Sequence, residues 1–146
     1  ESVDLKQLYM DLVQIKKGCE VEIPQYCFKT HSRLEEKTKV HLKKIIIVEG
    51  LFLFETRKLR ELFNHKIYIS ADDDIRLIRR IKRDIIDRGR DLNSVLEQYQ
   101  TTVKPMYEKH VESKKKYADF IIDTTLNFDL NEIIKPLMSK INFLES

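Results

Sequence analysis

The chain has 146 residues, 42% of them hydrophobic, which is enough to bury one core and predicts a single domain. Its 27 Lys and Arg against 24 Asp and Glu leave a net charge of +3, too balanced for a surface given over wholly to nucleic acid. No apolar run is long enough to span a bilayer, and Glu1-Ser2-Val3-Asp4 lacks the basic-then-apolar layout of a secretory signal, so a cytoplasmic or nuclear setting with no membrane partner is expected.

Helical and extended patterns take turns along the chain, without repeats or low-complexity segments, so the fold class reads as α/β. Leu5, Leu8, Tyr9, Leu12 and Ile15 predict a helix capped at Ser2 and ended by Gly18. Val21, Ile23, Tyr26 and Phe28 then alternate, and Val40 and Leu42 are expected to pair back with them as a small hairpin. Cys19 and Cys27 stand too far apart and too isolated for a zinc site or redox pair, and are expected to be free, structural thiols. Ile45-Ile46-Ile47-Val48 is a β-branched run that predicts a strand buried on both faces, as in a parallel sheet. It ends at Glu49-Gly50; a helix follows Thr56, and Ile67-Tyr68-Ile69 predicts a second strand.

Asp72, Asp73 and Asp74 suit the positive end of a helix, along which Leu77, Ile78, Ile81 and Ile85 predict an apolar face. Gly89 breaks that helix, and Asp91 is expected to cap the next, whose stripe is Leu92, Val95, Leu96, Tyr99, Val103 and Met106 with a kink at Pro105. Ala118 to Ile122 predict a third strand, and Ile133, Ile134, Leu137, Met138, Ile141 and Leu144 a last helix with Pro136 in its first turn.

Three groups of residues carry chemistry. Arg76, Arg80 and Arg83, spaced by four and three, share a helix face, and Asp87-Arg88-Gly89-Arg90 adds two more guanidiniums at a corner. Arginine forks match phosphate oxygens, so this helix-loop-helix reads either as a lid closing over a polyphosphate or as a solvated basic face. Glu49, at the carboxyl end of the expected buried strand, stands where ligands collect in open α/β sheets; it reads as a ligand to Mg²⁺-bound water or as a plain solvent-facing residue. Tyr26, Phe28 and His31 offer rings and an imidazole suited to a planar heterocycle, or to ordinary packing. The only glycines, Gly18, Gly50 and Gly89, cannot build a Gly-rich phosphate loop.

The run Arg79-Arg80-Ile81-Lys82-Arg83-Asp84 through Asp87-Arg88-Gly89-Arg90-Asp91-Leu92, then Gln98-Tyr99, Val103-Lys104-Pro105 and Lys116-Tyr117-Ala118-Asp119, resembles the uridine-cytidine kinases. So do Ile23-Pro24-Gln25-Tyr26-Cys27-Phe28, His31-Ser32-Arg33 and Val48-Glu49-Gly50-Leu51. The resemblance implies a P-loop kinase fold, a doubly wound parallel sheet with flanking helices, a nucleoside-binding hairpin region over 20–42 and lid helices over 73–112. It implies transfer of the γ-phosphoryl of ATP, with Mg²⁺, to the 5′-hydroxyl of uridine or cytidine. By matching position, Tyr26, Phe28, His31 and Arg90 would surround the base, Arg80 would lie near the ribose, and Gln98 would frame the pocket. Arg83 and Arg88 would reach the phosphates, and Glu49 would lie on the metal side. Cys27 stands where the family often has aspartate, a change expected to alter the hairpin more than the chemistry.

In the family the phosphate loop, the first strand and the catalytic aspartate precede the position of Glu1, so the ATP site is expected to lie outside this chain, and the strands at Ile45 and Ile67 to face the gap that the first strand would fill. Two readings follow: part of an active, homo-oligomeric nucleoside kinase, or a shortened, catalytically inactive homologue that binds RNA or a ribonucleoprotein. A kinase of sugar phosphates fits the fold but leaves Tyr26, Phe28 and His31 without a purpose.

Overall fold

The computed structural model describes residues 4–27, 32–126, 129, 131, 134–135 and 138–139. The chain forms two compact units, Glu1–Asn64 and His65–Ser146. Helices and two small sheets alternate along it, so the α/β class holds.

In the first unit, helix α1 (Leu5–Lys16) starts at Asp4, whose carboxylate accepts the Gln7 N–H at 2.9 Å; Ser2, the expected cap, lies outside the described residues. Gly18, at φ +84°, takes the left-handed conformation that follows the helix end. Strands β1 (Val21–Cys27) and β2 (Ser32–Val40) form the expected antiparallel hairpin, with Val21 opposite Val40 and an irregularity in register between Pro24 and Tyr26. Pro24 has no N–H to give a ladder, and such residues belong at edges and bulges. Helix α2 (Arg57–Leu62) is capped by Thr56, and the Lys16 ammonium donates to the Leu62 carbonyl at its other end, 2.7 Å away. Leu12, Ile15, Val21 and Leu59 make the core of this unit.

Two expectations fail here. Residues 45–48 are not a strand, and Ile47 is 88% exposed. A segment apolar in every direction becomes a strand only when neighbours cover both edges and faces, and none of the described strands pairs with it. Cys19 is an exposed free thiol rather than a structural one.

In the second unit, β3 (Ile67–Ser70) and β4 (Phe120–Asp123) pair in parallel, Ile67 opposite Phe120 and Ser70 opposite Asp123. Parallel neighbours need a crossover, and helices supply it. Helix α3 (Asp73–Ile86) starts after Asp72, with Asp73 and Asp74 in its first turn, and α4 (Leu92–Gln98) is capped by Asp91. The kink expected at Pro105 takes the form of a π turn over Tyr99–Val103, in which the Lys104 N–H reaches back five residues to the Tyr99 carbonyl, before α5 (Lys104–His110). The wider turn precedes the proline, whose ring would crowd the carbonyl four residues back in a regular α-helix. A 3₁₀ turn, Glu112–Tyr117, leads into β4. Of the last predicted helix, residues 131, 134–135 and 138–139 are helical; Ile133, Pro136, Leu137, Ile141 and Leu144 lie outside the described residues.

Candidate functional site: arginines gathered on a buried aspartate

Of the apolar face expected on α3, Leu77 and Ile81 are half-buried, and no member of it is the residue the helix buries fully. Ile78, Ile85 and Ile86 are exposed, and the buried residue is Asp84. Asp84 stands four residues after Arg80 on α3 and four before Arg88, which lies in the turn just past the helix end, so both come within reach of its carboxylate. Its Oδ1 accepts from Arg83 Nε at 2.9 Å and lies 3.3 Å from Arg88 Nη1; its Oδ2 lies 3.4 Å from Arg80 Nη2 and 3.8 Å from Arg90 Nη1.

Arg90 arrives there because the chain folds back. Gly89, at φ +63°, turns the corner in a conformation costly for residues with a Cβ, and the Arg90 N–H then donates to the Asp84 carbonyl at 3.0 Å. Helix α4 braces the far side. Gln98 Oε1 accepts from Arg80 Nη2 at 2.8 Å and from Arg90 Nη1 at 2.6 Å, while Ser94 Oγ, one turn earlier, accepts from Arg90 Nη2 at 2.8 Å. Burial alone would raise the Asp84 pKa, but the Arg83 hydrogen bond and the charges of Arg83, Arg80 and Arg88 outweigh it and hold the carboxyl below its ordinary value. Desolvation lowers the Arg80 pKa, helped by its cationic neighbours and opposed by Asp84.

Four guanidiniums around one carboxylate leave an excess of positive charge. Arg83 and Arg88 are 47% and 52% exposed, against 20% and 31% for Arg80 and Arg90, so two donors face solvent and two lie deeper. Such a surface suits an anion with several oxygens.

Arg76 and Arg79 do not join the cluster. Arg76 pairs with Asp73 and stacks 3.6 Å from the centre of the Tyr107 ring. Arg79 donates to the Thr124 hydroxyl and carbonyl, tying α3 to the end of β4.

Residues 1–131 match the model of the phosphoribulokinase / uridine kinase family. The chain belongs to this family. It is similar to the uridine kinase of Streptococcus uberis, 47% identical over 76% of this chain and 53% of that protein, and to the uridine kinase of Clostridium novyi, 47% identical over 82% and 57%. It is also similar to uridine-cytidine kinase A of Dictyostelium discoideum, 46% identical over 82% of this chain and 24% of that protein. The chain thus spans about half the length of the bacterial relatives.

Of the site residues read from the family pattern, Arg80, Arg83, Arg88, Arg90 and Gln98 come together around Asp84. Tyr26 lies in β1 opposite Arg33, in the first unit; Phe28 and His31 lie outside the described residues. Glu49 is exposed on irregular backbone, also in the first unit. Among the described residues no three His, Cys, Asp or Glu side chains are placed to hold a metal ion. No helix among the described residues is long and apolar enough to cross a membrane.

Sequence reasoning missed three parts of the unit. Asp84 as the hub was visible in its spacing to Arg80 and Arg88, whereas Ser94 carried no signal of its own. Tyr68, Tyr107 and Glu112 form a hydrogen-bonded trio: the two hydroxyls lie 2.6 Å apart, and Glu112 Oε2 accepts from Tyr107 at 2.7 Å and from Tyr68 at 3.1 Å. The trio fastens α5 and the 3₁₀ turn to β3.

Proposed function

We propose that this chain is the nucleoside-holding and lid portion of a P-loop uridine-cytidine kinase, which moves the γ-phosphoryl of ATP to the 5′-hydroxyl of uridine or cytidine. The observation that carries the reading is the arginine cluster: in a member of this family, four guanidiniums converge on one buried carboxylate at the corner of a helix-loop-helix.

Arg83 and Arg88, the more exposed pair, serve the phosphates. A transferring phosphoryl group spreads charge over its equatorial oxygens, and donors already fixed in place stabilise that charge without reorganising. Arg80 and Arg90, deeper and tied to Gln98, serve the ribose and base sides; by resemblance to the family, Tyr26, Phe28 and His31 would contact the pyrimidine. Glu49 would hold water on Mg²⁺, the ion that screens the phosphate charge. The parallel pairing of β3 with β4 is what a doubly wound sheet would require of these two strands.

The RNA-binding reading has less support, because Arg76 and Arg79 are turned to Tyr107 and Thr124, so the basic stretch is not an open row of cations. A substrate panel tests the proposal on the protein that carries this chain. ATP-dependent phosphorylation of uridine or cytidine, in preference to ribulose phosphate, is expected. No phosphorylation of either pyrimidine nucleoside, together with RNA retention that weakens steeply with salt, would overturn it.

A further inference from the structure

We infer that Asp84 is a positioning residue that sets the four lid guanidiniums in place before any phosphate arrives. This role rests on the kinase reading and assigns a function to a residue that touches no substrate.

The packing of α3 points to it first. Leu77 and Ile81 on this helix are only half-buried, and the one residue it buries fully is an acid, Asp84, set among four guanidiniums. Stability is a weak reason for such a choice, since well-packed apolar residues often replace buried ion pairs without loss. Geometry supplies a stronger one. Arg83 is held by a hydrogen bond from Nε to Oδ1 at 2.9 Å, which restrains its guanidinium plane. The other three guanidiniums sit at 3.3 to 3.8 Å, and neither Asp84 Oδ2 nor Arg80 Nε makes a hydrogen bond. Gln98 and Ser94 hold Arg80 and Arg90 from the other side, so the charge of Asp84 is the shared centre on which all four guanidiniums are set.

Without the carboxylate, four like charges would repel one another across a few ångströms and splay. Gln98 is neutral and reaches only Arg80 and Arg90, so it cannot replace Asp84 for Arg83 and Arg88. A simple electrostatic view predicts the reverse outcome, that removing a negative charge improves anion binding. The two views are therefore separable.

The test compares the complete wild-type protein with Asp84→Asn, measuring kcat, KM for ATP, KM for uridine and the thermal midpoint. With the arginines no longer aligned, kcat is expected to fall about a hundredfold, the cost of roughly an ångström of misplacement, with KM for uridine within threefold of wild type. A variant that keeps kcat within threefold, whatever its thermal midpoint, overturns the inference and leaves the kinase reading standing. A wild-type protein inactive on both uridine and cytidine overturns the kinase reading instead. If the variant does not fold, the unliganded wild type decides: the Arg83 Nε–H resonance is expected to be displaced and slow to exchange. A resonance averaged with those of exposed arginines overturns the inference.

Discussion

Replacing Tyr107 by Phe removes one oxygen from the place where α5 is fastened to β3. The ring stays, so the stacking of Arg76 on it at 3.6 Å is kept, and what is lost is the hydroxyl between Tyr68 at 2.6 Å and Glu112 at 2.7 Å. A hydrogen bond to a charged acceptor contributes about 1.5–3 kcal/mol when buried, and because Glu112 is exposed, a discounted cost of about 1–2 kcal/mol is expected. For a protein of this size that lowers Tm by roughly 3–6 °C. The pH dependence gives a sharper check. The Tyr107 hydrogen bond, aided by Tyr68 and the charges of Lys115 and Arg76 and opposed by burial, holds the Glu112 carboxyl below its ordinary 4.5. A depressed carboxyl stabilises the fold above its unfolded value and ceases to do so as pH falls through the folded one, so the gap between wild type and variant should narrow below about pH 4.5. Burial, with the Tyr68 and Glu112 hydrogen bonds, raises the Tyr107 pKa from its ordinary 10.0, so the wild type should also lose stability as pH rises past that value and the variant less so. Thermal melts across pH measure both limbs. Equal midpoints at neutral pH, or a gap that does not change with acidification, would refute the reasoning.

Gly89→Ala is expected to cost about 1 kcal/mol, because the added Cβ meets nothing within 4 Å and only the backbone at φ +63° resists it. Gly18→Ala, at φ +84° with equal room, is the control: similar loss of Tm, with the fall in kcat confined to Gly89→Ala, which displaces Arg88 and Arg90. Asp91→Ala removes the acceptor of the Ser94 N–H at 2.8 Å, so about 1 kcal/mol should be lost and amide exchange at Ser94 should quicken.

Local signals were the legible ones. The caps at Thr56 and Asp91, the acidic first turn at Asp73 and Asp74, and the glycines at 18 and 89 act within a few residues, and the helices fall where they point. The hairpin and the strands at Ile67 and Phe120 were legible from alternation and β-branching. Ile45–Val48 was misread because an apolar run records that a segment is meant to be covered, without recording what covers it. The buried residue of α3 was missed for the opposite reason: hydropathy gives an aspartate no weight as a core residue, although its spacing to Arg80 and Arg88 marked it as their partner. The tyrosine trio was invisible, since Tyr68 and Tyr107 are 39 positions apart and nothing local brings them together.

The most direct test of the account is the rate at which the complete protein converts uridine and ATP to uridine monophosphate and ADP, with and without Arg83→Ala. Losing one prearranged donor to the transferring phosphoryl group should lower kcat by about a hundredfold or more, with little change in KM for uridine. An Arg83→Ala protein that turns over at the wild-type rate would contradict the claim that this cluster is the lid over the phosphates.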